Sequence, residues 1–289
     1  MNRAHVTSIA AIHDGCCGPD PIGFGPGTGD ANWFDPAAYL GKRGWKYTSE
    51  PVRYVLSAAG MLPATDVDGS ENGIFIGTGS ADLEHRRSLA SELQSPECIL
   101  PGAASAPNAS VNMPAGALAK KLGAKGPVFT MTGGDEAPLV SLWVALAALA
   151  RGEIRHCVVG QVEHDASQPA HGGAVLWQLG PSDTGLGVEI AAGTWSRDLG
   201  DIAELTGPVT LIAGDGPMRD GAIAVMSANN IEFTEFADPG VSETVLDGMV
   251  LFSLLSLTVT RRIGGSILVL SGNGQFFTIH QQPKGNPNV

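Results

Sequence analysis

The sequence predicts an α/β fold of two pseudo-symmetric halves, stacked as an α/β/α/β/α sandwich around a buried central helical layer. Two observations carry this prediction. An order of strand, glycine turn and apolar helix occurs twice along the chain, which is the mark of an internal duplication. Each copy also holds one long helical segment with no charged residue, and a helix that is apolar all round is buried. The expected boundaries are an N-terminal half over 1–180, a shortened C-terminal half over 181–282, and a flexible tail over 283–289.

The first copy begins with a strand at Gly73–Ser80 that ends in small residues. A second strand, Pro127–Thr132, runs into the tight turn Gly133-Gly134, and a helix follows from about Glu136 to Ala150. Strands at Arg155–Gly160 and Gly172–Leu179 close the half. The second copy repeats the order: a strand at Val209–Gly216, one at Ile231–Phe236, a turn at Asp238–Gly240, and a helix over about 242–258. Strands at Ser266–Leu270 and Gln275–Ile279 close it. The charge-free stretches are Ala137–Ala150 and Met249–Thr260. Asp82–Leu93 is polar and amphipathic, as a surface helix is. Beyond Gln281 the apolar period stops and a frayed end is expected.

Composition removes several function classes. With 289 residues, 43% hydrophobic and 16% charged, the chain has enough apolar material for a substantial core. Its 39 glycines and 19 prolines fit an α/β protein with short connections. A net charge of −12 opposes binding to nucleic acid or to an anionic membrane surface. Cys16, Cys17, Cys98 and Cys157 are too few and too scattered for a disulfide framework, and Cys157 sits in an apolar run as a buried thiol would. No basic segment followed by an apolar one marks a signal peptide. The longest apolar run, Ala137–Ala150, is shorter than the roughly 20 residues of a spanning helix. A cytoplasmic protein without membrane insertion is expected.

Phe34–Trp45, Pro107-Asn108, Asn112–Gly116, Leu122–Pro127, Leu139–Leu142, Ala150–Glu153 and Val158–Glu163, in this order and spacing, resemble the β-ketoacyl synthase family. The resemblance implies the thiolase-like fold and, for an active member, three side chains. One is a cysteine at the helix N-terminus that takes the acyl group; the others are two histidines that assist decarboxylation and bind the enolate oxygen. Here the cysteine position falls on Asp135. The first histidine position falls on Gly214 and the second on Val241 or Ser242, with no histidine anywhere between His171 and His280. A carboxylate attacking a thioester would give a high-energy mixed anhydride. Asp135 therefore reads as a helix cap, worth about 0.5–2 kcal/mol; the alternative is a charge or base facing an acyl pocket.

The resemblance then implies a non-catalytic subunit like the chain length factor of type II polyketide systems, by analogy of the aryl polyene kind. Its partner would be an active ketosynthase in a heterodimer, and an acyl carrier protein would be met through that complex. Asn108, Asn112, Met113, Phe129, Met131 and Thr132 would face the interface and acyl channel. Neither a cofactor nor a metal is implied. Two alternatives stay open: an acyl-thioester hydrolase or decarboxylase using Asp135, and a homodimeric acyl-binding or scaffold protein.

The remaining motifs have plainer readings. His164, Asp165 and His171 share a loop but no common metal-site spacing. Asp66, Asp68 and Glu71 lack the length of a calcium loop and read as a solvated turn. Gly77-Thr78-Gly79 and Gly214-Asp215-Gly216 lack a P-loop ending and read as strand ends in close packing. Lys42-Arg43, His85–Arg87 and Lys120-Lys121 read as solvated basic faces, with carrier-protein docking as the functional alternative.

Overall fold

The order of strands reproduces the duplication. The computed structural model describes residues 3–14, 16–19, 30, 32–79, 83–95, 105–164, 172–181, 188–205, 207–213, 217–235, 248–260, 265–270 and 275–283. Its first-half strands are β1 (Arg3–His13), β2 (Cys16–Pro19), β3 (Asn72–Thr78), β4 (Val128–Thr132), β5 (His156–Glu163) and β6 (Gly173–Gly180). The second half holds β7 (Val188–Ser196), β8 (Val209–Ile212), β9 (Phe233–Glu235), β10 (Gly265–Leu270) and β11 (Phe276–Pro283). Among the described residues the strands form one 11-stranded sheet in the order β4-β3-β5-β6-β1-β7-β11-β10-β8-β9, with β2 paired to β1. Read outward from the centre, β1-β6-β5-β3-β4 and β7-β11-β10-β8-β9 are the same path. The directions agree too: β3 is parallel to β4 and β5, β8 is parallel to β9 and β10, and the inner pairs are antiparallel.

The expected separation into two sheets needs correction. Residues Arg3–Val6 of β1 pair with Val188–Ala191 of β7, so the halves are joined edge to edge at the centre. Neither β1 nor β7 was anticipated. β1 starts as an alternating strand but runs into the continuously buried stretch from Ser8 to Ile12, and such a run has no period to read.

The layers are as expected. Helices α1 (Pro36–Leu40), α2 (Glu50–Ala59), α3 (Leu83–Gln94), α4 (Ser105–Asn108) and α5 (Met113–Leu122) precede β4. α2 and α5 cover the outer face of the first half-sheet, where Tyr54, Val55, Ala58 and Leu118 pack on Ile74, Ile76 and Val158. α5 ends where Gly123 takes the left-handed conformation at φ +66° and its N–H returns to Ala119 O. α7 (Pro217–Ala228) covers the outer face of the second half-sheet through Ala222 and Met226. Between the half-sheets lie α6 (Ala137–Ala150) and α8 (Gly248–Thr260). Their Leu139, Leu142, Leu146, Phe252 and Leu255 share one cluster with Phe75, Val159 and Trp177 from one half and Ile267, Val269 and Phe277 from the other.

α6 departs from the expectation of burial on all sides. Trp143 is 43% exposed, and Val140 and Val144 on the same stripe are only partly buried. The polar helix α3 is largely exposed, as predicted. At the C-terminus β11 runs on through Gln282 to Pro283, which corrects the expected 283–289 tail at its first residue; 284–289 lie outside the described residues.

Candidate functional site

The parallel strands β3, β4 and β5 end side by side, and the turn that starts α6 is set among those ends. Gly77 of β3 makes this placement sterically available: a Cβ there would stand 2.5 Å from Pro138 N and 2.6 Å from Ala137 C. The start of α6 is thus pressed onto the strand. After β4 the chain turns through Gly133 and Gly134, the latter at φ +71°, and enters a 3-10 turn over Gly134–Glu136.

Asp135 is the central residue of that 3-10 turn. The cap position of α6 belongs to Glu136, which makes no side-chain bond to the helix backbone. The sequence expectation of Asp135 as the cap residue is corrected accordingly: the 3-10 turn inserts between the glycines and the helix and shifts the cap by one residue. Gly214, Val241 and Ser242, at the expected histidine positions, lie outside the described residues, as do Asp165 and His171.

Beside the turn stands a carboxylate that the sequence did not single out. Glu163, at the end of β5, accepts from Gly79 N–H and from Gln161 Nε2, and Thr78 Oγ1 donates to it at 3.4 Å. Strand register places Gln161 opposite Gly77 on the central face, and Glu163 follows two residues later on that face. Gln161 is fully buried, and its Oε1 accepts no hydrogen bond among the described residues. A carboxylate holding several donors acts here as a clamp joining the ends of β3 and β5. The signal was present as Gln161-Val162-Glu163, polar at period two in an apolar strand.

The proposed channel residues occupy two places. Asn108, at the end of α4, donates from Nδ2 to Tyr47 O at 2.8 Å. Asn112 is the exposed cap residue of α5, its Oδ1 accepting from Ser110 Oγ at 2.6 Å, and Met113 opens the helix partly buried. Phe129, Met131 and Thr132 lie on β4, which ends one path of the sheet. Phe129 is 47% exposed although it stacks on Phe75, and its neighbour Val128 is 41% exposed. α6, which carries the exposed Trp143, packs against β4, and β4 itself exposes Val128, Phe129 and Thr132 with no charged residue. Sequence pattern missed Trp143, because a charge-free helix looks the same whichever of its faces is covered.

The other motifs resolve as packing. Among the described residues no group of three His, Cys, Asp or Glu side chains could hold a metal. His164 is half-buried, with its ring 6.1 Å from that of Tyr54. Asp68 accepts from Ser70 N–H at 3.1 Å, and the hydrogen bonds from Ser70 hold its carboxyl below the usual range. Glu71 pairs with Arg155 at 3.5 Å. Cys157 is a free, fully buried thiol, its pKa pushed up by burial, so it is not a nucleophile. Lys120 and Lys121 stand in the last turn of α5, where the helix dipole favours cations. No helix among the described residues is long and apolar enough to cross a membrane.

Comparison with known proteins bears on this geometry. Residues 46–184 match the family model of the β-ketoacyl synthase N-terminal domain. A PKS-NRPS hybrid synthetase, ATPKS, of Aspergillus niger is 35% identical over 103 residues; the match covers 36% of this chain and spans only 5% of that relative's length. Two solved structures align across nearly all of the chain. The ishigamide ketosynthase/chain length factor has a TM-score of 0.66 at 15% identity, covering 98% of this chain and 99% of the other. A type II polyketide synthase acyl-carrier protein in complex with its ketosynthase, bound to the hexaketide, gives a TM-score of 0.75 at 17% identity, covering 97% and 99%. At these identities the structural likeness establishes the fold.

Proposed function

We propose that this chain, a ketosynthase-like protein of the thiolase fold, is a subunit without condensing chemistry of its own. It pairs along β4 with an active ketosynthase and contributes one wall of that partner's acyl channel in polyketide or polyene synthesis. The observation that carries this reading is the β4 edge. A strand edge with exposed Val128 and Phe129, packed by the helix that exposes Trp143, is a surface to which another strand can add. The position where an active ketosynthase would hold its thiol is Asp135, whose carboxylate has no low-energy route to a thioester exchange. Asn108, Asn112, Met113, Met131 and Thr132 are the residues proposed to face the channel. The carrier protein is met through the ketosynthase.

The test is co-expression with an active type II polyketide ketosynthase subunit, taken from this chain's own gene neighbourhood where one is found there, followed by co-purification and product analysis. The two proteins are expected to purify together. Phe129→Glu should separate them, and Trp143→Ala should weaken the pair by about 2 kcal/mol or more, roughly 30-fold. Asp135→Asn should leave the product unchanged. A lone chain that forms a stable homodimer and ignores the ketosynthase would favour a scaffold instead. Thioester turnover by the lone chain, lost in Asp135→Asn, would make it an enzyme.

A further inference from the structure

The duplication gives the molecule two equivalent sheet ends, yet they differ in chemistry. β4 and β9 close the two paths of the same sheet, and each is preceded by the helix that packs on its half, α5 or α7. β4 has no charged residue over Val128–Thr132. Among the described residues β9 is Phe233–Glu235. Its Phe233 turns inward, packing partly buried against the outer core of its own half, while Thr234 and Glu235 are exposed. Glu235 is held by Arg219 of α7, whose Nε stands 3.0 Å from Oε2 with Nη2 also donating to that oxygen. Arg219 additionally lies 3.7 Å from Asp220.

Resting on the reading that β4 is the pairing edge, we infer that the Arg219–Glu235 pair bars the equivalent β9 edge from a second chain, so that assembly stops at a pair. A strand added beside β9 would cover a charged pair that now faces water. Removing such charges from water costs more than a short strand returns in ladder hydrogen bonds. Edge charges are among the devices by which native sheets block association. Without them each molecule would offer two pairing edges, and edge-to-edge addition would propagate instead of closing.

The experiment compares sedimentation of the full chain, alone and with its ketosynthase, for the wild type and for Arg219→Ser/Glu235→Thr. The double variant removes the ion pair from positions 233–235 and leaves the exposed Glu232 as the charge next to them. Its weight-average mass is expected to rise with concentration beyond that of the wild-type species, with an unchanged circular dichroism spectrum. The charge-swapped Arg219→Glu/Glu235→Arg, which keeps a pair, should restore the wild-type mass. Adding Phe129→Glu to the opened variant should leave association only through β9. An opened variant that keeps the wild-type mass overturns the inference. If Phe129→Glu alone leaves the wild-type assembly intact, the β4 reading fails instead, and the two failures are distinct. Higher mass in both the opened and the charge-swapped variants would also overturn it, since the pair would then not be the barrier.

Discussion

Gly77→Ala isolates the contact that sets α6 against β3. An alanine Cβ there would lie 2.5 Å from Pro138 N, 2.6 Å from Ala137 C and 2.6 Å from Pro138 Cα. All three are backbone atoms of the first helical turn, so no side chain can swing aside. Restoring van der Waals separation, about 3.5 Å or more between carbons, needs a shift of roughly 1 Å in the helix start or the strand. The helix is wedged between half-sheets by Leu139, Leu142 and Leu146, all fully buried, and packed interiors resist such a shift. Overpacking of this kind costs about 1–3 kcal/mol. In a chain of this size that lowers the melting temperature by roughly 2–4 °C per kcal/mol. Gly116→Ala is the matched control. It lies inside α5, and a Cβ there would meet nothing within 4 Å. It should stabilise by roughly 0.5–1 kcal/mol, since glycine is a poor helix former. Thermal and denaturant unfolding of both variants are the assays. If Gly77→Ala unfolds within about 0.5 kcal/mol of wild type, the close approach of strand and helix does not constrain the turn, and the account of how Asp135 is placed is wrong.

Ser256→Ala should cost about 1–3 kcal/mol, because the buried Trp177 Nε1–H donates to Ser256 Oγ at 2.6 Å and would lose its acceptor; a double-mutant cycle with Trp177→Phe should show the coupling, and additive losses would refute it. Stability should also fall on mild acidification. Burial lowers the pKa of His280 from its ordinary 6.5, so the unfolded chain takes up a proton first. The contribution is complete above 6.5 and is lost as pH falls from there through the folded value, until the half-buried ring is charged as well. Denaturant midpoints measured across this range should show a shallower slope in His280→Gln, with His156, shifted the same way by burial and by Arg155, carrying part of what remains. An unchanged slope would remove His280 from the linkage.

The legible parts of the fold were those with a period or a repeat. β3 and β4 stood out because their apolar runs meet glycine, and α6 and α8 because they lack charge; β5 read only as far as Gly160, a glycine inside a strand that runs on to Glu163. β7 is hard to read because its interior Ala191-Ala192-Gly193 weakens the strand signal despite clear turn residues before it, and β1 because burial on both faces erases alternation. At the site, the glycine turn was legible but its fine structure was not. Whether Asp135 or Glu136 caps α6 depends on a 3-10 turn of three residues, which no side-chain pattern encodes. The exposure of Trp143 teaches most. A sequence records that a face must be covered, not which chain covers it. The charge-free stretch Ala137–Ala150 therefore read as burial within one chain. In the fold, Val140, Trp143 and Val144 are the part left over after both half-sheets have taken their share. They lie on the helix packed against the uncharged edge β4, while the equivalent edge β9 carries an ion pair. An unfilled apolar face is expensive to leave in water. Under the proposed pairing along β4, its retention beside one edge and the charge placed on the other answer the same requirement: a single partner, on one side.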